Sequence, residues 1–205
     1  GISGWETPDI DRLLSPPDQS ADGADVVPAS EEEPVSRPGD LWLMGEHRQL
    51  HGNALEALSY ERLMQDELAQ MVCSDSPFNV PIKGHVSGSE SARPFPMANG
   101  EMSRPQFTDF LKTTFALQAE HSIDGSLHFQ FMDWRHMREM LEAGDAVYDE
   151  LKNLCIWTKD NAGMGSLWRS QHELIFVWKK GKVPHVNNVE LGKHGRWRSN
   201  VWRYP

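Results

Sequence analysis

Cysteine is nearly absent: Cys73 and Cys155 are the two in 205 residues, too isolated for a disulfide framework or a zinc pattern. Each sits in an apolar run, Ala69-Gln70-Met71-Val72-Cys73 and Asn153-Leu154-Cys155-Ile156-Trp157, so both are expected as buried free thiols. No apolar run approaches the roughly 18 residues of a membrane span. The opening Gly1-Ile2-Ser3-Gly4-Trp5-Glu6 lacks the charged and apolar regions of a secretory signal. A cytoplasmic chain without membrane attachment is the expectation. His-Glu-x-x-His is missing too. His47 and His51 have the spacing of a helical metal pair but fall in a predicted hairpin, so no metal site is expected.

Basic residues are scarce overall, 20 against 30 acidic ones, for a net charge of −10. The imbalance is uneven. Residues 152–205 carry ten Lys and Arg against three Asp and Glu, a net of +7, and the remainder carries −17. A basic C-terminal section can face phosphates even in an acidic chain.

The length suits one domain with a sizeable core. Residues 1–38 read as an N-terminal segment, with a short helix over 5–14 and an acidic, Pro-rich linker over 15–38. The folded domain is expected over 39–205. Leu41–Met44 and Arg48–His51 around Gly45-Glu46 read as a hairpin, and 54–66 as a helix. Ala69–Ser74 reads as a buried strand. Ser103-Arg104-Pro105-Gln106 has the form of a capping box. Phe107, Phe110, Leu111, Thr114, Phe115 and Gln118 continue it as an amphipathic helix that Gly125 closes. Leu127, Phe129 and Phe131 alternate as in a strand, 134–146 looks helical, and 151–158 and 173–179 are further strands. Strand and helix in alternation predict an α/β sheet with helical crossovers.

Ser74-Asp75-Ser76-Pro77-Phe78-Asn79 directly follows the first of the sheet strands. In open α/β sheets, ligands gather beyond the carboxyl ends of strands, so a carboxylate, a proline carbonyl and an aromatic face meet at such an end. The segment resembles the catalytic motif of DNA amino-methyltransferases, usually Asp/Asn/Ser-Pro-Pro-Tyr/Phe. Gly39–Arg48 through Gly52-Asn53-Ala54 resembles the stretch before that motif, and Asn79-Val80-Pro81-Ile82 its continuation. Met132–His136, Trp157–Leu167 and Arg169–Val177 resemble later blocks. The resemblance covers about 39–205 and is nearest to enzymes whose catalytic block precedes the cofactor block. Some of those carry a partition-protein-like nuclease domain upstream, and residues 2–14 resemble the segment after it.

This resemblance implies a partial Rossmann-like methyltransferase sheet with helices on both faces. It implies methylation of an exocyclic amino group in DNA by S-adenosylmethionine. Asp75 would offer the carboxylate and Ser76 or Pro77 the backbone carbonyl that take the two N–H groups of the target amine. Phe78 would stack on the base once it has left the duplex. Asp at 75 leans toward adenine N6 over cytosine N4. Cys73 lies inside the predicted strand, which argues against its being a ring-carbon nucleophile. His136 reads as a packing or hydrogen-bonding group.

Two departures from the family pattern bear on activity. Serine stands at 76 where relatives usually have proline. The family's Phe-x-Gly-x-Gly turn for the cofactor does not occur in these 205 residues. The cofactor-binding part is therefore expected on a further C-terminal segment or a second chain. Lys159, Arg169, Lys179, Lys180, Lys182, Lys193, Arg196, Arg198 and Arg203, interleaved with Trp168, Trp197 and Trp202, are the candidate DNA contacts. The alternative to an active enzyme is a DNA-binding or assembly remnant of the family; a metal nuclease using the histidines is a weaker third.

Overall fold

The computed structural model describes residues 35–81, 96–160, 162 and 167–204. The predicted helix over 5–14, the linker as far as residue 34, and Ile82, Asn161 and Gly163–Ser166 of the family-like blocks lie outside the described residues. The elements are β1 (Leu41–Met44), β2 (His47–Leu50), α1 (Ala57–Met64), β3 (Ala69–Ser74), α2 (Arg104–Glu120), β4 (Ser122–Met132), α3 (Met137–Val147), β5 (Glu150–Thr158), β6 (His172–Lys179) and β7 (Val201–Arg203). A single 3-10 turn, Trp134–His136, leads into α3.

β1 and β2 form the predicted hairpin, turned at Gly45 with φ +65°. Arg48 fastens it to the end of α1, pairing with Glu67 at 2.6 Å and donating to the Met64 carbonyl at 3.3 Å. The main sheet has the order β3-β4-β6-β5-β7. β3 and β4 run parallel, as the α2 crossover requires. β6 lies between β4 and β5 and is antiparallel to both. β7 adds parallel to β5, a short strand in a stretch whose polarity reads as loop.

Side chains alternate across the sheet. Leu174, Phe176, Trp178 and Met132 pack with Phe107, Phe110, Leu111 and Phe115 of α2 and Met140 and Ala143 of α3. Ile175, Val177 and Cys155 occupy the opposite face with Leu127, Phe129, Phe131, Trp157 and Trp202. The α2 start follows the sequence signal. Gln106 Oε1 accepts from the Ser103 N–H at 2.9 Å and from its hydroxyl at 2.7 Å.

Three local expectations are corrected. Gly125 does not close a helix; it lies inside β4 with φ +85°, where an added Cβ would come within 2.9 Å of the Pro184 carbonyl. β3 is the sheet's edge and only partly covered, with Met71 61% exposed. Cys73 is consequently exposed, and Cys155 is buried as expected. From Pro38 onward the described residues form one compact unit. Among them, no helix is long and apolar enough to cross a membrane.

Candidate active site

Because β3 and β4 are parallel, their carboxyl ends open on one edge of the sheet. Ser74–Asn79 leaves β3 there, and the turn Asp133–His136 leaves β4 beside it. β5 ends at Thr158 opposite His172, the start of β6. The same edge therefore gathers Asp75, Lys159 and Glu173. Lys159 and Glu173 pair at 2.7 Å, and the ammonium sits 5.0 Å over the Trp157 ring. The Asp75 carboxyl is exposed, yet its proton affinity is raised, first by partial desolvation and then by the Glu173 charge, with Lys159 acting in the opposite sense.

The motif backbone is held from three sides. Asn79 is buried in the left-handed region at φ +51°, a conformation asparagine tolerates. Its side-chain oxygen accepts from the N–H groups of Gly100 (3.0 Å) and Met102 (3.2 Å), and its amide donates to the Met102 carbonyl (2.9 Å). His136 Nε2 donates to the Asn79 carbonyl at 3.2 Å. The His136 ring also meets Phe107 edge-on at 4.9 Å, and Nδ1 lies 3.6 Å from Glu139. His136 is thus a support for the loop, in line with its sequence reading. Third, the Ser76 hydroxyl lies 3.5 Å from that of Ser74. Phe78 is half-buried and packs against the main core cluster.

Cys73 precedes the motif on the edge strand. Desolvation and the neighbouring Asp75 charge both push its thiol up, away from the thiolate that nucleophilic chemistry needs. Trp134 is exposed, with the Arg135 guanidinium 4.8 Å over its ring and paired to Asp133 at 2.8 Å. This cation–aromatic pair sits at the β4 end of the same edge. The sequence marked Met132–His136 as a family-like block without assigning a role to these two side chains.

The basic candidates divide by position. Lys159 is at the Asp75 edge. Arg203 pairs in register with Thr158 and so lies there too. Arg169 belongs to the connection from β5 to β6 and donates to the Ala162 carbonyl. β6 carries the others away, since it runs antiparallel. Lys179 is buried, its ammonium donating to the Gly181 carbonyl at 2.9 Å, and Lys180 donates to the Ser122 carbonyl at 2.6 Å. Both ammonium groups are taken up by backbone carbonyls at the far end of the sheet from Asp75, Lys179 buried and Lys180 half-buried. Lys182, Lys193, Arg196 and Arg198 are exposed on the long connection to β7, Arg196 paired with Glu190 at 3.2 Å. Trp168 and Trp197 are exposed on loops, whereas Trp202 turns onto the sheet against Phe129.

No group of three or more His, Cys, Asp and Glu suited to a metal ion occurs among the described residues. A cavity of about 350 Å³ opens between the hairpin and α1, lined by Gly39, His51, Asn53, Glu56, Ser59 and Arg62 among others. Its lining includes neither Asp75 nor Phe78.

No protein-family model matches the chain, and no curated protein does. Solved structures do. The chain is similar to M1.HpyAVI, with a TM-score of 0.46 at 12% identity over 73% of this chain. The M1.HpyAVI–SAM complex gives 0.46 at 14% identity over 74%. TTHA0409 from Thermus thermophilus, described as a candidate DNA modification methylase, gives 0.44 at 12% identity over 70% in its complex with S-adenosyl-L-methionine. The chain spans 63% of the length of each of these structures.

Proposed function

We propose that this chain carries the base-binding and catalytic part of an S-adenosylmethionine-dependent DNA amino-methyltransferase, with adenine N6 as the favoured target. The observation that carries the reading is the placement of Asp75-Ser76-Pro77-Phe78. These residues stand at the carboxyl end of a parallel edge strand, with an accessible carboxylate of raised proton affinity three residues before an aromatic side chain. An exocyclic amine is a poor nucleophile because its lone pair is delocalised into the base. Asp75 would accept one amine N–H and the Ser76 or Pro77 carbonyl the other, drawing the nitrogen toward a tetrahedral form. A carboxylate of raised proton affinity is the stronger acceptor for that purpose. Phe78 would hold the flipped base from its side, so that orientation supplies much of the rate.

S-adenosylmethionine supplies the methyl group in this reading, but none of the described residues is assigned to holding it. That role goes to a further segment or a second chain. The outer edge of β3 pairs with no strand among the described residues, which leaves a seat for one next to the motif. DNA phosphates would meet Lys159, Arg169 and Arg203 near the motif and Lys182, Lys193, Arg196 and Arg198 on the long connection. A second reading, a DNA-binding or assembly remnant, draws on Ser76 and on the packing of Phe78 against the core.

The test is methyl incorporation from tritiated S-adenosylmethionine into mixed-sequence duplex DNA, using the chain together with whatever follows it in its reading frame. Labelled N6-methyladenine by mass spectrometry is the expected product. DNA binding without any label favours the remnant.

A further inference from the structure

We infer that Gln118 of α2 is a positioning residue for the candidate catalytic loop, stiffening Ser76 through Ser74 where a proline would otherwise do so. The inference rests on the functional reading only for the importance of the loop; the physical claim stands on the contacts themselves.

A line of side chains runs inward from the loop. The Ser76 and Ser74 hydroxyls lie 3.5 Å apart. Gln118 Nε2 donates to Ser74 Oγ at 3.1 Å, and its Oε1 accepts from Gln130 Nε2 at 2.5 Å. Gln130 Nε2 also reaches the Tyr148 hydroxyl at 3.2 Å. Tyr148 meets His128 Nδ1 at 3.1 Å, and His128 Nε2 meets Ser126 Oγ at 3.0 Å. Ser126, His128 and Gln130 alternate along β4, all at 1% exposure or less. A buried polar row on the helix-facing side of a sheet gives up apolar packing, which its hydrogen bonds offset, with Gln130 Oε1 the one atom of the row buried without a partner. Here its outer end is the catalytic loop.

The chemistry of the chain favours holding over proton transfer. Two carboxamides sit in the middle of it, and an amide is a donor and acceptor without a readily lost proton. His128 is held neutral, its pKa lowered to about 4 by burial and then by the Lys180 charge, and burial raises the Tyr148 phenol. The line therefore acts as a brace. It begins on residues anchored in the core and ends on Ser76, whose backbone lacks the fixed φ of proline.

Amide exchange measured residue by residue in the 205-residue chain tests this without any activity assay. Ser74→Ala cuts the brace at the loop, and Gln118→Met cuts it one residue deeper at similar volume. In both, exchange at Asp75, Phe78 and Asn79 is expected to quicken about fivefold, the size set by one lost hydrogen bond, with β5 and β6 unchanged. Ser76→Pro is the rescue: in that background the same two substitutions should leave these amides unmoved. Loop exchange unaffected by Ser74→Ala, or quickened equally with serine and with proline at 76, overturns the inference. Methyl transfer by Asp75→Ala is scored separately, so failure of the functional reading and failure of the brace are distinguishable.

Discussion

At the scale of single residues, Asp75 is set apart by its company. Partial burial and then Glu173 raise its proton affinity and Lys159 lowers it, and those two charged groups are already paired with each other. If ionised Asp75 is what binds the amine, transfer should fail on acidification as the carboxylate takes up its proton, at a pH higher than for an ordinary aspartate. Glu173→Gln removes a negative neighbour, so it should move that acid limb to lower pH. The pH–rate profile of the variant checks this, and a limb that stays in place or moves upward contradicts the electrostatic account. Asp75, Pro77 and Phe78 were legible in the sequence because the motif is contiguous. Glu173 was not, since it lies almost a hundred residues on and only strand register brings it near. Asn79 was visible as part of the motif's continuation. Its job was hidden, because its partners Gly100 and Met102 follow a stretch of no recognisable pattern.

At the scale of elements, periodicity and capping gave most of the architecture. The hairpin, the long helix after Ser103 and the strands β3, β5 and β6 stand close to where the pattern puts them. β4 misled at its start, because Gly125 punctuates a strand crossed by the Val183-Pro184 backbone and ends no helix. Its polar row was equally hard to read, since alternation reveals two faces without saying which is buried. Ser126, His128 and Gln130 are the more deeply buried set, and Leu127, Phe129 and Phe131 are the half-covered one. α3 docks through a glycine: a Cβ at Gly144 would run into the Trp178 indole, and little room exists for either to move in the core. Gly144→Ala should cost about 1–3 kcal/mol by overpacking, read as a lower denaturation midpoint. An unchanged midpoint would mean that α3 does not press on β6 as described.

At the scale of the whole molecule, the charge division has a partial structural counterpart. Lys159, Arg169 and Arg203 accompany the motif edge, and the long connection before β7 adds further exposed basic side chains. Composition could not foresee that the Lys179 and Lys180 ammonium groups are taken up by backbone carbonyls, because that depends on where β6 falls in the sheet order. Among the described residues no strand pairs with the outer edge of β3, next to the motif, which suits the proposal of a catalytic part completed by another segment. If Asp75 acts on the amine as the methyl group arrives, its removal separates chemistry from binding. With the cofactor-binding segment present, single-turnover methyl transfer to duplex DNA is compared between the wild type and Asp75→Ala, alongside DNA affinity by fluorescence anisotropy. Transfer is expected to be abolished while affinity stays nearly intact, since the carboxylate's role falls on the chemical step. Undiminished transfer in Asp75→Ala would contradict it and remove the motif from the mechanism.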